Sequence, residues 1–267
     1  MPTLQLPDVD VHYVLEGSGP RLLFFNGSGS SIAEMSLLIE ILAARFEVLV
    51  HDQRGLGLTG IPRGLAPTMA DYASDGVALL DHLGWERTAV LGLSFGGMVA
   101  QELAVTHPDR LERLALLCTS SGGAGGSSYP LHELAMMAPE ERRRTEVAIA
   151  DTRFDEAWLA AHPSDRALAD HMAGRGDRVV AEAKRRGEVL QLEARRLHDV
   201  YDRLGAISCP TLVAAGRYDG TAPLENSQSI VDAIPGARLE VYEGGHMFLL
   251  QDARAITDIM DFLAAVD

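Results

Sequence analysis

Residues Thr88–Ala104 read TAVLGLSFGGMVAQELA, and the character of this stretch changes halfway along it. The apolar run from 88 to 94 has the composition of a buried strand, and beyond it apolar residues return at helical spacing. Between the two lies Gly92-Leu93-Ser94-Phe95-Gly96, a GxSxG turn. Small neighbours at Gly92, Gly96 and Gly97 let backbone approach backbone, so the corner pushes the Ser94 hydroxyl outward. There it stands at a helix N-terminus, whose positive end favours a developing anion. A GxSxG match alone is weak; the strand before it and the helix after it give it weight.

The same rhythm extends outward along the chain. Short apolar runs at 11–16, 21–26, 46–52, 88–94, 111–118, 210–216 and 237–244 predict strands, and helical patterns near 32–44, 69–84, 95–107, 224–233 and 252–265 lie between them. Alternation of this kind predicts an α/β fold, a mainly parallel sheet covered on both faces. It is interrupted once. After SGGAGGSSYP, residues 127–205 hold no strand pattern and are dense in Arg, Asp, Glu and Ala. This predicts a core domain of 1–126 and 206–267 with a helical cap inserted between two strands, and insertions of such length usually cover something.

A serine hydroxyl is a poor nucleophile unless a base takes its proton, most often a histidine oriented by a carboxylate. Asp219, in TLVAAGRYDGTAP, and His246, in LEVYEGGHMFL, each fall just past a predicted strand end. Sites of open α/β sheets assemble at that edge, and the order Ser, Asp, His is that of an α/β triad. Asp52 and Asp202 compete for the acid, but Asp52 sits among Arg54, Gly55 and Gly57 in HDQRGLGLTG, a pattern that predicts a structural turn. For the oxyanion, Phe95 offers the amide after the nucleophile, and the turn LLFFNGSGSS offers a second from Ser28, with Gly27 as the alternative.

Composition narrows the function further. The 267 residues, 47% hydrophobic, suffice for one large domain with a substantial core, and a net charge of −15 disfavours nucleic acid and anionic membranes as partners. No run approaches the roughly 20 apolar residues of a membrane span, and the N-terminus lacks a basic region followed by an apolar stretch, so a soluble, cytoplasmic protein is expected. The two cysteines, Cys118 and Cys209, lie in apolar surroundings without metal-ligand spacing, so neither a metal nor a cofactor is expected.

In five stretches taken in order, FFNGSGSS, HDQRGLGLTG, GLSFGG, CPTLVAAGRYDGTAP and EGGHMFL, the chain resembles the α/β-hydrolase family. The resemblance implies an eight-stranded, mostly parallel sheet flanked by helices, the insertion as a cap, and Ser94, Asp219 and His246 as the triad. Asn26 departs from the His-Gly pair more usual before the oxyanion residue, and resembles the 3-oxoadipate enol-lactonase branch. A serine at the elbow argues against the aspartate chemistry of haloalkane dehalogenases and epoxide hydrolases. The expected activity is hydrolysis of a small-molecule ester or lactone through an acyl-enzyme. C-C bond hydrolysis of ring-fission products, enol-lactone hydrolysis, and binding without turnover are the alternatives. Gly27, Met98, Met136, Met137, Trp158, Met247 and Phe248, with Phe95, are expected to line an apolar pocket, although Met136 and Met137 also suit the core of a cap helix. The arginines of ERRR and KRRGE suit solvated helix faces, which predicts an uncharged substrate.

Overall fold

The computed structural model describes residues 2–64, 66–134, 136–175 and 182–265. Strands β1 (Thr3–Gln5), β2 (Asp10–Gly17) and β3 (Arg21–Phe25) lead to helix α1 (Ser36–Ala43), strand β4 (Glu47–His51) and helix α2 (Met69–Leu83). Strand β5 (Thr88–Leu93), helix α3 (Phe95–Thr106) and strand β6 (Leu111–Leu117) follow. The chain then runs through helices α4 (Leu131–Leu134), α5 (Pro139–Ala150), α6 (Glu156–Ala161), α7 (Pro163–Arg175) and α8 (Glu182–Arg196). It returns with β7 (Thr211–Gly216), α9 (Leu224–Ala233), β8 (Arg238–Tyr242), α10 (Phe248–Gln251) and α11 (Ala255–Ala264).

The eight strands form one sheet in the order β1-β2-β4-β3-β5-β6-β7-β8. From β4 to β8 every pairing is parallel, while β1 and β2 run antiparallel at one edge. Seven strands and five helices fall where the hydrophobic pattern places them. Strand β1 was not predicted, because three residues are too few to show alternation.

Alternation within each central strand explains why both faces are covered. In β3, Leu23 and Phe25 pack with the α2, α3 and α9 side, while Leu22 and Phe24 pack with α1 and α11. Successive side chains point to opposite faces, so a strand buried on both sides reads as a continuous apolar run. All parallel strands then end at one edge, which collects the loops after β3, β5, β7 and β8.

Helices α4–α8 lie between β6 and β7 and rest on those loops. An isolated bridge between Gly122 and Asp199 joins the two ends of the excursion. Helix α8 crosses the loop after β4 at a glycine pair, where a Cβ on Gly187 would sit 2.1 Å from the Gly55 carbonyl oxygen. No side chain larger than hydrogen fits that crossing. No helix among the described residues is long and apolar enough to cross a membrane.

Candidate active site

Ser94 is the corner between β5 and α3. Its φ of 54° and ψ of −113° lie in a region that L residues rarely adopt, and Ser94 and Cys118 are the non-glycine residues with positive φ among those described. Such strain persists only where the surroundings over-determine it. Here they do: the Ser94 amide donates to the Leu117 carbonyl at 2.8 Å, and the Ser94 carbonyl accepts from Thr119 Oγ1 at 2.8 Å. A Cβ on Gly96 would lie 2.0 Å from the Phe25 carbonyl oxygen, so the tightness of the turn requires glycine there.

The structure brings Ser94, His246 and Asp219 together. Ser94 Oγ lies 3.0 Å from His246 Nε2, and His246 Nδ1 lies 2.8 Å from Asp219 Oδ2. With its proton on Nδ1, the imidazole donates to the carboxylate and accepts from the hydroxyl. Asp219 Oδ1 accepts the amides of Thr221 and Ala222, both at 2.8 Å, so the buried carboxylate keeps a fixed orientation. The competing acid lies elsewhere: Asp52 accepts the amides of Ile32 at 2.7 Å and Leu58 at 2.9 Å and meets His12 Nδ1 at 2.9 Å, tying three segments together. Asp202 is exposed.

The loops that carry Asp219 and His246 are also held by α5. The carbonyls that end α5 accept from them, Ile149 from the Gly220 amide at 2.9 Å and Ala150 from the His246 amide at 2.6 Å. Gln251 accepts the Gly245 amide at 2.9 Å and donates to Asp151 at 2.9 Å, linking the histidine loop to the residue after α5.

The loop after β3 passes beside Ser94, where a Cβ on Gly27 would lie 3.9 Å from Ser94 Cβ. The Gly29 amide donates to Gln191 Oε1 on α8 at 2.8 Å. Gln191 Nε2 donates to Gln53 Oε1 at 2.9 Å, and Gln53 Nε2 donates to both Asn26 oxygens at 2.8 Å. Buried side-chain amides thus run from α8 into the loop after β3. Gln53 and Gln191 were not singled out in the sequence; glutamine has no motif of its own, and 138 positions separate the two.

The expected pocket residues separate. Met247 is half-buried beside His246, and Met98 is buried one turn into α3. Phe95 packs edge-on to Tyr72, and Phe248 stacks on Tyr242, so both side chains belong to the core. Met136 is 88% exposed and Met137 is half-buried. Trp158 stacks on His162 with centroids 3.8 Å apart, lies under Arg153, and donates from Nε1 to Asp165 at 2.8 Å. Short helices conceal this outcome, because spacing over one or two turns does not say which side faces the sheet.

Cys118 adds a grouping that spacing could not show, since its sulfur lies within 4.8 Å of ligand atoms of Asp219 and His246. Those two are engaged with each other. Burial, together with the charge of Asp219, pushes the Cys118 thiol well above its ordinary range, so it stays protonated.

The arginines of the insertion divide. Arg144, Arg185 and Arg186 are exposed. Arg195 is half-buried, donating from Nη1 to the Tyr129 carbonyl at 2.8 Å and from Nη2 to Ser128 Oγ at 2.7 Å, and burial pushes its guanidinium down to about 10.

Ser94 after β5, Asp219 after β7 and His246 after β8 are joined here at one edge of a mostly parallel sheet. The family description that matches residues 20–253 is the alpha/beta hydrolase fold. The chain belongs to the alpha/beta hydrolase family. It is 30% identical over 275 residues to the poly(3-hydroxyalkanoate) depolymerase of Ectopseudomonas oleovorans, covering 98% of this chain and 91% of that one. Identity to 3-oxoadipate enol-lactonase 2 of Acinetobacter baylyi is 27%, covering 97% and 94%. A crystal structure of a hydrolase from Pseudomonas aeruginosa PA01 superposes with a TM-score of 0.79 at 29% identity, over 99% of this chain and 98% of that one. This alpha/beta hydrolase is therefore similar over nearly its whole length to hydrolytic enzymes.

Proposed function

We propose that this alpha/beta hydrolase cleaves carboxylic esters or lactones through an acyl-enzyme on Ser94. The observation that carries this reading is the unbroken hydrogen-bonded line from Asp219 through His246 to Ser94. As Ser94 Oγ attacks the carbonyl carbon, His246 Nε2 takes its proton, and Asp219 stabilises the resulting imidazolium. The carbonyl oxygen becomes an oxyanion, received by the amides of Phe95 and Ser28. Phe95 opens α3, where the first amides have no partner within the helix. Each such donor is worth on the order of 2.7–4 kcal/mol of transition-state stabilisation. His246 then passes the proton to the leaving oxygen, and water, activated by the same imidazole, releases the acid.

The names of the enol-lactonase and depolymerase relatives support ester or lactone cleavage, and a relative from Variovorax paradoxus, 30% identical, is named a putative carbamate hydrolase, whose carbonyl the same serine chemistry would attack. The expectation of an uncharged substrate rests on the arginines of ERRR and KRRGE, of which Arg144, Arg185 and Arg186 are exposed. Two measurements test the assignment of Ser94: labelling by a fluorophosphonate, and turnover of a panel of nitrophenyl esters and lactones. Ser94→Ala should abolish labelling and lower kcat by on the order of 10⁶. Ester hydrolysis retained above about a tenth of wild type would overturn the assignment, since triad losses are far larger than that.

A further inference from the structure

We propose that strand β8 pairs with β8 of a second copy of this chain, antiparallel about a two-fold axis at Leu239, so that Arg238 meets the partner's Glu240. This contact lies at the flank of the sheet and is independent of the chemistry at Ser94. Strand β8 ends the sheet order and pairs with β7 alone. It contains no proline, and its register with β7 is unbroken over five residues, so two of the devices that commonly blunt an exposed edge are missing.

Bonds on the β7 side identify the backbone groups that face outward. The Tyr242 carbonyl accepts from the Arg217 amide at 3.0 Å and the Gly244 carbonyl from the Tyr218 amide at 2.9 Å, so the even-numbered residues of β8 turn their backbone groups toward β7. Backbone groups alternate along a strand, so the amides and carbonyls of Leu239 and Val241 point away from the sheet. No hydrogen bond among the described residues meets them there. Glu243, the next residue facing outward, donates its amide to Asp252 at 3.0 Å, which ends the free edge short of His246.

Charge selects the occupant of this edge. Arg238 and Glu240 are exposed, stand on one face of β8, and form no ion pair among the described residues. Arg238 lies over the Phe262 ring of α11 at 5.1 Å, and a groove of about 640 Å³ beside α11 leaves both side chains uncovered. Two-fold symmetry leaves a choice of register. An axis at Glu240 sets that carboxylate against its own copy, like charge on like. An axis at Val241 pairs Leu239 with the partner's Glu243, whose amide is already taken. An axis at Leu239 sets Arg238 opposite the partner's Glu240, and Glu240 opposite the partner's Arg238.

In that register Leu239 exchanges both backbone bonds with the partner's Leu239. Arg238 and the partner's Glu240 then form a non-hydrogen-bonded pair, the closer of the two antiparallel spacings at about 4.5 Å between Cα atoms. On the opposite face the half-buried Leu239 side chain, already packed on the α9 side of the core, meets its copy. Edge charges usually discourage pairing, but opposite signs two residues apart favour this register while disfavouring the one beside it. The net charge of −15 opposes association at long range, and at physiological salt it is screened beyond about 8 Å. A five-residue edge buries little area, so the dimer is expected to be reversible and concentration-dependent.

Sedimentation equilibrium of the full chain over a concentration series tests the pairing, and the wild-type protein should pass from monomer to dimer. Arg238→Glu and Glu240→Arg each set like charges opposite one another and should weaken the dimer at least about tenfold. The double variant exchanges the signs of each pair and should restore it. Mixing the two single variants should give a heterodimer tighter than either homodimer, because every facing pair is then opposite in sign. Leu239→Pro removes an outward amide that makes no bond within the sheet, so the chain should fold, as circular dichroism would show, while the dimer is lost. If that variant does not fold, the charge series still decides. Amide exchange at Leu239 should slow as the dimer forms. A protein that is monomeric at every concentration, a dimer indifferent to the charge reversals, single variants that do not associate on mixing, or unchanged exchange at Leu239 in the dimer would overturn the proposal.

Discussion

Asp219→Asn keeps the shape of the side chain but replaces one acceptor oxygen with a donor, which favours the wrong tautomer of His246. An equivalent change in another triad costs about 10⁴ in kcat, and a loss of that order is expected here. Asp52→Asn removes an acceptor from a carboxylate that ties the Ile32 amide, the Leu58 amide and His12 together. Its effect should appear as a loss of about 1–3 kcal/mol in urea unfolding, the cost of leaving one buried group unsatisfied, with kcat far less affected. Measuring kcat and unfolding on both variants separates the two roles; the opposite pattern would make Asp52 the catalytic acid.

At the scale of elements, α5 and α8 hold the loops at the sheet edge. The end of α5 holds the loops that carry Asp219 and His246, and α8 holds the loop after β3 through Gln191. Gln191→Leu leaves the Gly29 amide and Gln53 Oε1 without partners. Because the loop amides act on the transition state more than on the bound ester, kcat for a neutral ester should fall by about tenfold or more with little change in KM. A rise in KM alone would place Gln191 in substrate binding instead. Gly187→Val tests the docking of the whole helix, since no Cβ fits against the Gly55 carbonyl. Both kcat and the thermal midpoint should drop, overpacking typically costing about 1–3 kcal/mol.

For the whole molecule, two buried histidines set the response to acid. His51, edge-on to Phe25 with both ring nitrogens unpaired, and His198 are each depressed by burial from 6.5 to about 4. In the unfolded chain both take up a proton near pH 6.5, while in the folded protein they remain neutral down to about 4. The unfolded state therefore binds more protons across that window, so stability is fully present above pH 6.5 and is lost as pH falls towards 4. The expected slope is about 1.4 kcal/mol per pH unit for each histidine. Urea unfolding between pH 7 and pH 4 measures it, and His51→Phe should flatten it; an unchanged slope would show that His51 is not a source.

Much of this molecule is legible in local pattern. Strand and helix periodicities placed seven of the strands, and GLSFGG between a strand and a helix marked Ser94, because turn chemistry and hydrophobic repeat act over neighbouring residues. Asp219 and His246 could be chosen because a parallel sheet brings all its strand ends to one edge, which makes position in the chain a guide to position in space. No such rule relates the cap to the core. That Gln191 meets Gly29 across 162 positions, that Gly187 fits against Gly55, and that Phe248 turns into the core were decided by how helices pack on loops. A glutamine or an arginine looks the same in sequence whether it faces water or a buried amide, and only tertiary packing determines which of the two surrounds it.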